Sequence, residues 1–279
     1  MQQTSRTRSF FYVYLLIVPI LMFALAFGVG HVDYRVYLPA WILHSCVMSF
    51  GAWSIGVRLI SSNDPNKSRT AVIGLFFILP WVLVSIFGGM GPPPFTYKGW
   101  ADLAIEQQIR FGILIICGIL IAFGFSTLYE DLKLKGEGFY SRLAFTCIIL
   151  ALPLFLFTMA CWGSVITDAC KLFVASSSKA MPDWFNPILH MIEVIVIIWV
   201  ALIYLATALF ATSLKKTGTL SVRASNGYII SSLVALAVSL APSSSPEPLP
   251  TISYLVGIPA VTFVIPYIMG INLVAKISR

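Results

Sequence analysis

The chain has 279 residues, of which 58% are apolar and 10% charged, and its formal net charge is +7. Soluble domains carry roughly 25% charged residues, so this composition, with a mean hydropathy of +0.91, excludes a soluble globular protein. It also speaks against a nucleic-acid partner, because the basic residues sit in short connections between apolar runs, where they orient a membrane protein.

Residues 1–9 are polar and carry Arg6 and Arg8. Residues 10–28 are free of charge and long enough to cross a hydrocarbon core of about 30 Å. Ala24-Leu25-Ala26 mimics a signal-peptidase site. The apolar run exceeds the ~7–15 residues of a signal core, so a retained first span is expected. A second span, 36–57, holds His44 and a stripe of small residues, Ser45, Ser49, Ala52 and Gly56, that would let another helix approach closely. The following loop turns at Asn63-Asp64-Pro65 and contains the sequon Asn66-Lys67-Ser68. Span three is 70–87, with Pro80 inside it.

Gly88-Gly89-Met90-Gly91-Pro92-Pro93-Pro94 cannot form a regular helix. A polar turn then leads into span four, 111–129. Glu106 and Arg110, at i and i+4, are placed to pair. Span five, 143–166, carries Pro153 and exits through Asp168 and Lys171. Span six is 187–213, span seven 224–240 and span eight 251–275, the last with Pro259 and Pro266. The fold class expected is an all-α integral membrane protein, a bundle of eight transmembrane helices forming one membrane domain over 1–279.

Thirteen of the eighteen Lys and Arg residues fall on the side of the termini. Both termini are therefore expected in the cytoplasm, with the chain in a plasma membrane or bacterial inner membrane and lipid as its surroundings. Trp41, Trp100, Trp162 and Trp184 fall near the outer boundary, as an aromatic belt does. His31, His44 and His190 all fall on the outer side, as do seven of the eleven acids. Span two reads Ile42-Leu43-His44 where span six reads Ile188-Leu189-His190. This correspondence admits a 4+4 parallel repeat about an axis along the membrane normal.

Glu193 is the acidic residue with apolar turns on both sides. A carboxylate at the membrane centre costs about 2.5–3.5 kcal/mol on insertion scales, so it is expected to face protein or water. His190 shares its helical face, and the stripe 190, 193, 197, 200, 204, 207, 211 is expected to face the bundle. Spans two and six are accordingly expected near the centre, with both histidines pointing inward.

These expectations define an outward-facing polar pocket lined by His44, Glu106, Arg110, Asp168, His190 and Glu193. Such a pocket suits binding or transport of a small molecule or ion, coupled to protons. One alternative is a redox subunit with a b-type haem held between His44 and His190; no other cofactor is expected, and the sequence leaves a metal undecided. Another is a non-catalytic subunit of a larger membrane complex. The motifs lean away from an enzyme, since there is no HExxH, Walker A loop or GxSxG elbow, although the outer carboxylates and histidines could do acid–base work on a lipid. The five cysteines lack metal spacing and read as small apolar packing residues.

Overall fold

The structure is a computed structural model, and it describes residues 2–176, 181–242 and 244–278, with side chains from Arg6 onward. Lys179 and Arg279, counted above among the loop bases, lie outside the described residues. Among the described residues there is no strand. Eight helices are long and apolar enough to cross a membrane: Arg6–Gly28, Tyr34–Ile55, Pro65–Met90, Ala104–Leu134, Phe139–Ala175, Phe185–Lys216, Val222–Ser239 and Pro259–Ile277. The count agrees with the sequence expectation.

The individual helices are α1 (Gln2–Gly28), α2 (Tyr34–Ile55), α3 (Pro65–Val84), α4 (Phe87–Met90), α5 (Tyr97–Asp102), α6 (Ala104–Leu134), α7 (Phe139–Cys161), α8 (Thr167–Ala175), α9 (Phe185–Lys216), α10 (Val222–Ser239), α11 (Leu249–Gly257), α12 (Pro259–Thr262) and α13 (Val264–Ile277). Local chemistry sets the starts. Asp33 caps α2 by accepting from Arg35 N, and Asp64 caps α3 through Asn66 N and Lys67 N with Pro65 in the first turn. A five-residue π-helical turn, Trp162–Ile166, joins α7 to α8, and the Thr167 hydroxyl donates to the Trp162 carbonyl at 2.9 Å.

Most span bounds differ by a few residues from those read off the sequence, and the largest differences are in three spans. The fourth and fifth spans extend beyond the apolar run because polar turns continue their helices. The eighth span starts at Pro259, eight residues later than expected, because the backbone leaves the helix at Ile258 (φ −60°, ψ 126°) just before the proline. The segment expected as its first turns is instead α11, which buries no residue. The carbonyl of Val256 beside this break accepts a hydrogen bond from Tyr204 OH at 2.9 Å.

α3 is the most buried span and α2 and α10 are the least. α3 packs on α6 and α13, α6 on α7, and α7 on α9, which in turn packs on α10. α1 and α2 pair with each other at the side of this bundle. The second span, expected near the centre because of His44, is therefore peripheral. Its small stripe is used only in part: Ala52 and Gly56 are buried while Ser49 is exposed. The closest crossing lies elsewhere. A Cβ on Gly74 would lie 1.9 Å from Val274 Cγ2, and one on Gly270 would lie 2.7 Å from Phe77 Cβ, so only glycine lets α3 and α13 meet.

Both termini lie at one end of the bundle, since Arg8 donates to the carbonyls of Ser278 (2.6 Å) and Ala275 (2.7 Å). This is the terminal face; the opposite end is the distal face.

Candidate functional site

The distal end of α6 gathers polar groups from three parts of the chain. The expected Glu106–Arg110 pair is not formed; one turn apart, each holds a different loop. Glu106 takes His31 Nε2 at 3.0 and 3.2 Å through its two oxygens, and Tyr37 OH donates to it at 3.4 Å. Arg110 Nη2 donates to the carbonyls of Gly91 (2.8 Å) and Met90 (3.3 Å), and its guanidinium carbon lies 5.1 Å from the centre of the Phe87 ring. These carbonyls end α4, where a cation also meets the negative end of the helix dipole.

Arg110 is 5% exposed and is the only buried basic side chain among the described residues. Among the described residues its Nε–H has no partner, and neither does the side-chain oxygen of the nearby buried Gln107. The two loops also lean on each other. Val32 N donates to Gly89 O at 3.0 Å. Gly91 has φ +65°, and a Cβ there would lie 2.7 Å from His31 N; a Cβ on Gly89 would lie 2.3 Å from Tyr37 Cβ. Gly91 is thus required by contact with the first distal loop and Gly89 by contact with α2.

Aromatic rings brace this end. Trp100 donates from Nε1 to Pro94 O at 2.7 Å and stacks on Phe111 and Trp162 with centroids 6.0 and 5.5 Å apart. Tyr97 meets Phe173 and Phe185 edge-on.

The other expected site residues lie in separate places. His190 and Glu193 do pair, at 3.2 Å, but their side chains are 78% and 58% exposed. The stripe expected to face the bundle turns outward at 190, 193 and 197 and inward from 200 onward. The reason is helical phase: in the distal turns of α9 the covered face carries Phe185, Ile192 and Trp199, all fully buried, and at about 100° per residue positions 190, 193 and 197 lie off that face. Asp168 pairs with Lys171 at 3.0 Å on α8. His44 is held between α1 and α2, its Nδ1 2.9 Å from Tyr14 OH and its Nε2 buried without a partner. The two histidines of the haem alternative thus have different partners on helices whose principal contacts differ.

His31, Tyr37 and Gln107 were missed as members of the cluster. His31 lies on a loop, where no periodicity points to a partner 75 positions away. Among the described residues no group of three or more His, Cys, Asp or Glu could hold a metal ion. No family model matches the chain, and none of the curated proteins or solved structures compared with it shows a significant match.

Proposed function

We propose that this multi-pass membrane protein binds a small polar or ionic solute at its distal face and moves it across the membrane with proton coupling. Arg110 carries this reading: a permanent cation, 5% exposed, sits beneath two short loops with one N–H unpartnered. Lifting the loops around His31 and Gly91 would bare Glu106 and Arg110 together, one for a cationic and one for an anionic group of the solute. Protonation of His31 turns its contact with Glu106 into an ion pair, which gives the proton a place in the cycle. Glu106, Arg110 and Asp33 are the charged groups that act on the neighbouring Tyr37. Asp168, His190 and Glu193 belong to the exposed surface of this end, and His44 stays with Tyr14. On this reading the distal face is the outer one and the termini are in the cytoplasm of a cell bounded by this membrane, which the excess of Lys and Arg in the loops of the terminal side supports.

The test is a current measurement on proteoliposomes bound to a solid support. Small anions, cations and zwitterions are applied to the purified protein at pH 6 and pH 8. One class should give charge movement that depends on pH, and Glu106→Gln should abolish the pH dependence. Absence of both current and thermal shift for every class would reject the proposal.

A further inference from the structure

The terminal half of the bundle holds a polar contact that the distal site does not use. Tyr12 of α1 donates to Asn272 Oδ1 at 2.6 Å, Asn272 Nδ2 donates to Tyr228 OH of α10, and Tyr228 OH donates to Ile268 O at 3.5 Å. Three helices meet here on one asparagine. Tyr12 and Asn272 are nonetheless partly exposed. The face of α13 bearing Val264, Ile265, Ile268 and Asn272 is partly exposed along its length, while Met269, Gly270, Ile271 and Leu273 are buried. α13 is therefore the floor of a groove, with α1 on one side and α10 on the other.

The groove has a basic mouth. Arg6, Arg223 and Lys276 are exposed and enter no ion pair among the described residues. Lys276 Nζ is anchored at this mouth by the carbonyls of Gly218 (2.8 Å) and Thr219 (2.9 Å). Tyr12 follows Arg6 by six residues, Tyr228 follows Arg223 by five, and Asn272 precedes Lys276 by four. At 1.5 Å per residue the polar triad lies about 6–9 Å deeper than the cations. The interfacial layer of one leaflet is about 5–7 Å thick. With phosphate at the cations, glycerol ester carbonyls come level with Asn272.

We infer that this groove binds one anionic phospholipid of the leaflet at the terminal face. Its phosphate meets Arg223 and Lys276, an ester carbonyl accepts from Asn272, and an acyl chain lies along Ile268, Ile265 and Val264. The amide of Asn272 has two N–H groups, and one is left over after the bond to Tyr228. A lipid ester can accept that bond. A partner helix fits less well, because its backbone carbonyls are already used within the helix.

Native mass spectrometry of the full chain, taken from nanodiscs with equal phosphatidylglycerol and phosphatidylcholine, tests this. The wild type should retain one phosphatidylglycerol in preference to phosphatidylcholine. Arg223→Gln and Lys276→Gln should each lower that preference about fivefold, the worth of one basic residue near an anionic surface. Arg142→Gln, an exposed base of the same face on α7, should leave it unchanged. Asn272→Leu should weaken retention of both lipids, and Tyr12→Phe, which keeps the Asn272–Tyr228 bond, serves if the first variant does not fold. Equal retention of the two lipids by the wild type would overturn the proposal. So would an equal loss in Arg142→Gln, or a dimer that carries no lipid.

Discussion

Glu106 and Arg110 stand one turn apart on α6, and each is bonded to a loop instead of to the other. Replacing Glu106 with Gln removes a contact to a part-exposed histidine, for which about 0.5–1 kcal/mol is expected. Arg110→Lys removes the Nη2 that donates to both carbonyls, in a buried place, and about 1–3 kcal/mol is expected. Thermal unfolding in detergent should therefore rank Arg110→Lys as the more damaging variant; the opposite order would show that the loops do not depend on the guanidinium. Glu137, in the loop between α6 and α7, offers a pH test. Burial works to raise its pKa, but the polar surroundings outweigh it, with Tyr140 N and Ser141 N donating to its carboxylate at 2.9 and 3.1 Å, and the net shift is downward. A lowered folded-state pKa contributes stability that is complete above the ordinary value of 4.5 and is lost as pH falls through the lower folded value. The wild type should lose stability on acidification below that value. Glu137→Gln should lose less over the same window, and equal loss would dissociate Glu137 from acid sensitivity.

Prolines inside α1 and at the start of α12 show how the helices tolerate breaks. Pro19 has no N–H for the Leu15 carbonyl four residues earlier, and Tyr267 OH donates to that carbonyl at 2.7 Å from α13. Tyr267→Phe leaves a buried acceptor unpaired and should cost about 1–3 kcal/mol. In a Pro19→Ala background the backbone supplies the donor, so the same substitution should cost measurably less. Additive effects in this double-mutant cycle would show that the tyrosine is not compensating for the proline. Gly91→Ala places a side chain at φ +65° and against the backbone of His31. It should separate the two distal loops, seen as faster hydrogen exchange at Val32, with α3 unaffected. Pro259 and the glycine run were legible in the sequence as breaks, whereas Pro19, within an apolar run, was not. Tyr267 and Tyr204, which satisfy the freed carbonyls of Leu15 and Val256, were not legible either, because a tyrosine in an apolar run reads as packing until its hydroxyl has a partner.

At the scale of the whole chain, orientation is the property to measure. Under the proposed topology a cysteine at Ser244 reacts with an impermeant thiol reagent added to intact cells and one at Thr217 does not; the reverse would invert the protein. The eight spans and the all-helical class follow from the sequence by itself, because a backbone in hydrocarbon must bond within its own segment, and about twenty apolar residues suffice to cross. The i, i+3 pair of His190 and Glu193 also follows, since a helix guarantees that spacing. Which face of each helix is covered does not follow. Apolar residues line both the buried and the exposed sides of these spans, so hydropathy has no periodicity to separate them. Only the tertiary structure placed α2 at the side, turned His190 and Glu193 outward, and brought His31 to Glu106 and the Gly91 carbonyl to Arg110. Those contacts join positions far apart in the chain, and they depend on how helices and loops pack, which no local pattern encodes.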